Sequence, residues 1–188
     1  MYRVNEIFYS LQGEGLNTGR AAVFVRFSGC NLSCAFCDTD HSRSTGMTAD
    51  DIVREASTFP ARFVILTGGE PALQVDDLLV EALHGAGFTV AVETNGTHAL
   101  PKGIDWVTVS PKTAMVEVTR CNELKLLFTS PDFQPSAPSV QADHYLLQPC
   151  DTGDASLNQA IMRSAVEYVK QHPEWRLSLQ THKMAGFQ

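Results

Sequence analysis

Run after run of β-branched and aromatic residues ends in a short polar cluster, and this repetition restricts the chain more than any other feature. Phe63-Val64-Ile65-Leu66-Thr67 is almost wholly apolar and leads directly into Gly68-Gly69-Glu70-Pro71. Such a run suits a strand of a parallel sheet covered on both faces, since a half-exposed strand would alternate. The pattern recurs at 22–27 before the cysteines, at 88–93 before Thr94-Asn95-Gly96-Thr97, and at 106–109 before Ser110-Pro111-Lys112. It recurs again at 145–147 before Gln148-Pro149 and at 176–179 before Gln180-Thr181-His182, and 124–128 reads as a further strand. Helical segments fall between: one starting at Thr48 with Asp50 and Asp51 at the positive end of its dipole and running to about 57, one over 73–86, and one over about 155–171. Strands alternating with helices imply an α/β chain with a parallel sheet or partial barrel. Ligands of such folds sit at the carboxyl ends of the strands, so six polar clusters are expected on one rim.

The first cluster is Cys30-Asn31-Leu32-Ser33-Cys34-Ala35-Phe36-Cys37, with thiols at C-x3-C-x2-C spacing. Three thiols can wrap one face of a cubic four-iron cluster, whereas two would hold it loosely and four would close it. One iron then has no protein ligand and is open to a small molecule that exchanges electrons with the cluster. The alternatives are a zinc knuckle or a disulfide, which Cys34 and Cys37 alone would suit, but Cys30 adds a third thiol and the loop holds no His. Cys121 and Cys150 stand apart and read as ordinary semi-buried residues.

A chain of 188 residues with 44% hydrophobic composition can build one well-cored domain, 1–188, and is short for two. A net charge of -7 and a pI near 5.3 argue against nucleic acid as a partner and fit a small-molecule substrate better. No apolar run approaches 18 residues and the first residues lack a charged-then-apolar signal pattern, so the expectation is a cytoplasmic protein with no membrane contact. Clustered thiols suit the same reducing setting. The stretch 132–143, with Pro135 and Pro138, reads as a surface connection.

With an aromatic, Phe36, just before its last Cys, the loop resembles the signature of the radical S-adenosylmethionine (radical SAM) superfamily. The resemblance implies a 4Fe-4S cluster on Cys30, Cys34 and Cys37, with SAM chelating the open iron and yielding a 5'-deoxyadenosyl radical that takes hydrogen from substrate. It places Phe36 near the adenine, although a hydrophobic plug closing the loop is equally compatible. Gly68-Gly69-Glu70-Pro71 resembles the superfamily's GGEP motif, which implies that the Gly69 backbone and Glu70 hold the SAM amino group. Glu93 and Asn95 match its ETNG stretch and Ser110 its SPK stretch, implying contacts to the ribose or methionine of SAM; Lys112 and Gln148 join them on the cofactor side of the rim.

A closer resemblance, to the family of 7-carboxy-7-deazaguanine synthases of queuosine biosynthesis, runs along most of the chain. It is carried by Leu11-Gln12-Gly13-Glu14-Gly15, Cys37-Asp38-Thr39, Thr67-Gly68-Gly69-Glu70-Pro71, Glu93-Thr94-Asn95-Gly96, Ser110-Pro111-Lys112 and Gln180-Thr181-His182-Lys183. What it implies is conversion of 6-carboxy-5,6,7,8-tetrahydropterin to 7-carboxy-7-deazaguanine by hydrogen abstraction at C6 and ring contraction with loss of ammonia, SAM being regenerated. It implies a Mg2+ ion beside the substrate carboxylate with the Thr39 hydroxyl as protein ligand, acceptable for an ion that keeps several waters. Gln12 and Glu14, flanking Gly13, suit the donor and acceptor edge of a pterin. Arg26 suits a carboxylate, and Thr67 and His182 match substrate positions, His182 for binding rather than proton transfer. Without the resemblance, Gln12, Glu14 and Arg26 read as solvated polar residues at strand ends. The family further implies a reduced barrel of about six parallel strands with few helices, a homodimer, and an external electron donor such as a flavodoxin. Arg43 departs from the Trp that many members carry there. The alternatives are another radical SAM enzyme, such as a glycyl-radical activating enzyme with a protein partner, or a non-catalytic metal-binding module, which would leave the other strand-end motifs without a purpose.

Overall fold

The strands of this chain are β1 (Tyr2–Leu11), β2 (Ala21–Phe27), β3 (Thr45–Met47), β4 (Phe63–Gly68), β5 (Thr89–Thr94), β6 (Trp106–Val109), β7 (Arg120–Phe128), β8 (Gln141–Pro149) and β9 (Trp175–Leu177). In the computed structural model they form one continuous sheet in the order β3-β1-β2-β4-β5-β6-β7-β8-β9. The structure describes residues 1–37, 39–40, 43–136 and 139–188. Asp38 of the Cys37-Asp38-Thr39 motif and Pro138 of the 132–143 connection therefore lie outside the described residues, as do His41, Ser42 and Ala137.

From β2 to β9 every pairing is parallel, which makes seven parallel strands in a partial barrel where about six were expected. The loosely alternating start of the chain becomes β1, antiparallel to β2, and carries the short β3 on its far edge. Four helices accompany the described strands: α1 (Ala49–Ala56), α2 (Asp77–Gly85), α3 (Ala155–Gln171) and α4 (Thr181–Ala185). Thr48 and Asp51 close a reciprocal capping box on α1, and Asp154 caps α3 by accepting from Ser156 and Leu157 N–H. The helix expected over 73–86 is divided. Pro71–Leu73 makes a single 3-10 turn, and α2 begins only after Asp76, whose carboxylate accepts from Leu79 N–H at 3.1 Å and from the Tyr2 hydroxyl at 2.6 Å.

Alternation along each strand decides what the two faces carry. Val23, Val25, Phe27, Val64, Leu66, Val90 and Val92 point one way and pack with Ile52 of α1 and Leu79 and Leu83 of α2. Leu124, Phe128 and Leu147 pack likewise with Ile161 and Ala165 of α3. The intervening residues Ala22, Phe24, Phe63, Ile65 and Ala91 meet on the other face with Phe8 and Trp106. Two residues further along the same strands, the positions on that face turn polar: Arg26 on β2, Thr67 on β4 and Glu93 on β5. Arg26 and Thr67 are direct partners in the β2–β4 register. An apolar floor thus passes into a polar mouth at the carboxyl ends, as the repeated sequence pattern demands.

Candidate active site

A cavity of about 770 Å³ opens above that floor. Strand ends and the loops after them contribute Arg26, Cys30, Cys34, Phe36, Cys37, Thr39, Thr67, Gly69, Glu93, Asn95, Ser110, Lys112, Gln148 and His182, and the β1–β2 connection contributes Gln12, Gly13 and Glu14. Of the candidate cluster, SAM, Mg2+ and substrate residues named from the sequence, Glu70 alone is not on its wall.

The thiol side is built by backbone fit. Gly69 N–H donates to Phe27 O at 3.0 Å and Glu70 N–H to Gly29 O at 2.9 Å, so the end of β4 lies flush against the residues that lead into Cys30. Both glycines are needed for this. Gly68 has φ +125°, open to glycine far more readily than to other residues, and a Cβ there would overlap the Phe27 main chain. A Cβ at Gly69 would overlap the Gly29 carbonyl. Glu70 is wholly buried: its carboxylate accepts from Ala72 N–H (3.0 Å), the Thr94 hydroxyl (2.6 Å) and Asn95 N–H (2.7 Å). Three of its roughly four acceptor positions are thus given to the end of β5 and its own turn, and Oε2, with Asn95 N–H as its one donor, keeps a position open. Asn95 carries the connection onward by donating to Asn31 Oδ1 at 3.0 Å, within the cysteine loop.

Cys30, Cys34 and Cys37 are free thiols. Cys30 Sγ accepts from Leu32 N–H at 3.4 Å, Cys37 N–H donates to Cys34 O at 3.1 Å, and burial raises the Cys30 thiol above its ordinary range. Among the described residues no three His, Cys, Asp or Glu side chains gather round a point as one ion would require. Three soft thiols on one wall suit a cluster with several irons, whose corners are spread apart, better than a tetrahedral zinc. The donor set and the glycine-lined approach fit a 4Fe-4S cluster.

Opposite the thiols lies a net of buried polar side chains. Leu11 pairs with Ala21 at the start of β2, so the 12–20 connection leaves from the rim opposite the cysteines and crosses the bowl. Gly15 N–H donates to Ser178 Oγ (3.0 Å) and Leu16 N–H to Glu123 (2.9 Å) on the way. Gln12 Nε2 donates to Glu93 Oε1 at 2.7 Å. Glu14 is ion-paired with Lys125 through one oxygen and accepts from Gln180 Nε2 at 2.9 Å through the other. Lys125 also faces Glu93 at 3.9 Å, and Ser178 Oγ donates to Gln148 at 2.9 Å. No buried side-chain nitrogen or oxygen among the described residues lacks a partner, so the net is complete and rigid. Burial would raise the Glu14 carboxyl, but the Lys125 charge and the hydrogen bonds from Lys125, Gln180 and Gln148 outweigh it and hold Glu14 well below the usual carboxylate range. Burial opposes the charge on Lys125 too, yet Glu14 and Glu93 carry it above the ordinary ammonium range. Burial raises Glu123. Lys112, donating to Ser110 O (2.8 Å) and Oγ (2.6 Å), is brought down to about 8 by burial and then by Lys125.

At the third corner Arg26 donates to Glu6 at 2.8 Å and lies 3.5 Å from the Thr39 hydroxyl. A carboxylate drawn to this guanidinium would come to rest beside Thr39, which is where a Mg2+ needing substrate oxygens could be shared. Arg43, the departure from the common Trp, has an exposed side chain; its carbonyl accepts from Asn5 Nδ2 (2.9 Å) and from the Ser28 hydroxyl. The Arg43 main chain is therefore held by side chains from β1 and from the residue after β2. The Gly13 carbonyl accepts from Thr181 N–H and Oγ1, both at 2.9 Å, and a side chain at Gly13 would overlap His182, so the first loop and α4 are clasped together.

Lys125, Glu123, Ser178 and Glu6 are functional-site residues that the sequence motifs do not include, and Gln180 stands in its motif without a role of its own. The signal for the first two was present: in Glu123-Leu124-Lys125-Leu126 the charges alternate with leucines on a strand otherwise expected to be apolar on both faces.

Residues 24–123 match the model of the radical SAM superfamily, and the chain belongs to that superfamily. It is 52% identical over 185 residues to the 7-carboxy-7-deazaguanine synthase of Bacteroides thetaiotaomicron, covering 98% of this chain and 97% of that one. Identity to the enzyme of the same name from Bordetella pertussis is 48% over 209 residues, covering 98% of each. The crystal structure of QueE from Escherichia coli superposes with a TM-score of 0.75 at 29% identity, covering 95% of this chain and 93% of that one. Within the superfamily, the chain is a member of the 7-carboxy-7-deazaguanine synthase family, and membership carries with it a 4Fe-4S cluster, SAM and Mg2+.

Proposed function

We propose that this enzyme converts 6-carboxy-5,6,7,8-tetrahydropterin to 7-carboxy-7-deazaguanine with loss of ammonia. The observation that carries the reading is the convergence, on one cavity, of three free thiols with Gln12, Glu14 and Arg26. Cys30, Cys34 and Cys37 hold the cluster, which together with SAM supplies one-electron, hydrogen-abstracting chemistry. Gly69, Asn95, Ser110, Lys112 and Gln148 offer the polar wall for SAM, with Phe36, 41% exposed, at its edge. Gln12 and Glu14 present an amide and a carboxylate to the pterin edge, and Glu93, held by Gln12, joins the residues for SAM. Arg26 takes the substrate carboxylate beside Thr39, the protein ligand for Mg2+, while Thr67 and His182 complete the substrate wall. The aromatic floor of Phe8 and Phe24, stacked with centroids 4.8 Å apart, excludes water beneath the ring. The same reading takes 1–188 as one domain of a cytoplasmic homodimer served by an external electron donor such as a flavodoxin. No helix among the described residues is long and apolar enough to cross a membrane.

The test is anaerobic reconstitution followed by turnover of the carboxytetrahydropterin with substoichiometric SAM. Product in excess of SAM is expected, and Cys34→Ala should lose both cluster iron and turnover. Reductive cleavage of SAM without conversion of this pterin would leave the superfamily assignment standing and overturn the substrate.

A further inference from the structure

The least explained group in the cavity is the ammonium of Lys125. Its residue is 4% exposed, and it projects from the middle of β7 into an interior that holds Glu14, Glu93 and, two residues back on the same strand face, Glu123. Of the other cations on the cavity wall, Lys112 is held by Ser110 O and Oγ, Arg26 pairs with Glu6 and Lys183 with Asp151. Three carboxylates thus share one ammonium that is directed at them. Glu14 is gripped at both oxygens, Oε2 by Lys125 and Oε1 by Gln180. A carboxylate accepts about four hydrogen bonds, and Glu14, with those from Lys125, Gln180 and Gln148, keeps one free direction for a ligand. A side chain already immobilised loses little freedom when that ligand arrives.

We infer that Lys125 is a positioning residue for substrate: it neutralises and aims the Glu14 carboxylate, so that the N–H edge of the pterin meets an acceptor already in place. The inference rests on the proposed role of Glu14 and extends it to a residue with no assigned part in the reaction. Without Lys125 the three carboxylates would face one another with Lys112, held by Ser110, as the remaining nearby cation. Glu14 would then turn away or take up a proton, and in either case lose the acceptor the pterin needs. Lys125 touches no reacting atom in this account. Its loss should therefore appear in KM rather than kcat.

The experiment compares Lys125→Met with the wild-type holoenzyme, using cluster iron and visible absorption to establish that the protein is intact. KM for the carboxytetrahydropterin should rise about 30-fold or more, as for removal of one partner of a buried charge pair, while kcat changes by less than about threefold. The acid limb of kcat/KM should move to higher pH, since Glu14 loses the charge that keeps it ionised while Glu93, Glu123 and Lys112 still face it. An unchanged KM, an unmoved acid limb, or a fall in kcat as large as the rise in KM overturns the inference. A second comparison reads the same point without leaving Lys125's pair half broken. In the Glu14→Gln background, adding Lys125→Met should change KM by no more than about twofold, because Lys125 acts through Glu14; losses that multiply overturn the proposal. Failure of the wild-type chain to turn over this pterin at all would instead strike the functional reading, and is seen before any variant is made.

Discussion

The two halves of the site are assembled by different means. Around β2 and β4 the cysteine loop and the Gly68–Glu70 turn are joined by main-chain hydrogen bonds where glycines allow the chains to touch, and the Glu70 carboxylate and the Asn95 side chain tie on the loop after β5. Around β7, β8 and β9 the wall is a net of buried side chains in which Lys125, Glu14, Gln148, Ser178 and Gln180 satisfy one another. The first half can accept no added atom, and the second can spare no charge. That division suits the tasks: a cluster needs a fixed cradle for three thiols, whereas a polar heterocycle needs donors and acceptors at set angles.

The comparison breaks most visibly at Gly69. Gly69→Ala should destabilise the protein by about 2–3 kcal/mol, since the clash is with backbone that cannot step aside, and the recovered protein should hold less iron. Gly85→Ala in α2, where an added Cβ meets nothing, should be neutral or slightly stabilising. Equal melting temperatures for the two variants would refute the backbone-built half. Acid sharpens the other half. The folded Glu14 carboxyl lies below its ordinary value of 4.5, so its contribution is fully present above that pH and is lost as pH falls through the lower folded value. Fluorescence of Trp106 and Trp175, on β6 and β9, should report about 2 kcal/mol less acid dependence below pH 4.5 in Glu14→Gln/Lys125→Met than in wild type. The smallest effect is a control: Asp154→Ala removes the cap of α3 and should cost about 1 kcal/mol in thermal denaturation with no change in substrate KM.

The same division explains what could be read from the sequence. Motifs of the backbone-built half are contiguous, because a glycine pair or a cysteine loop must be local to do its work, and Cys30, Gly69 and Asn95 stand where the pattern puts them. The side-chain half depends on which strands lie side by side. Glu123 and Lys125 plainly share a face, but only the pairing of β7 with β6 and β8 turns that face inward. Glu70 teaches the converse: its motif was legible, yet the destination of its carboxylate is a matter of where β5 ends. The direction of β1 was hidden for the same reason, since a loosely alternating strand can pair either way. Asp76 interrupts the helix expected over 73–86 because its side chain is shared with Tyr2, a contact 74 residues distant in the chain.

The clasp between Gly13 and Thr181 joins residues 168 positions apart. A ribosome adding roughly 5–20 residues per second needs about 10–30 s to cover that interval. For the later part of it the cysteine loop and the turns at Gly69 and Asn95 that support it have been made but Thr181 has not, so the substrate pocket is completed only when α4 docks on the first loop.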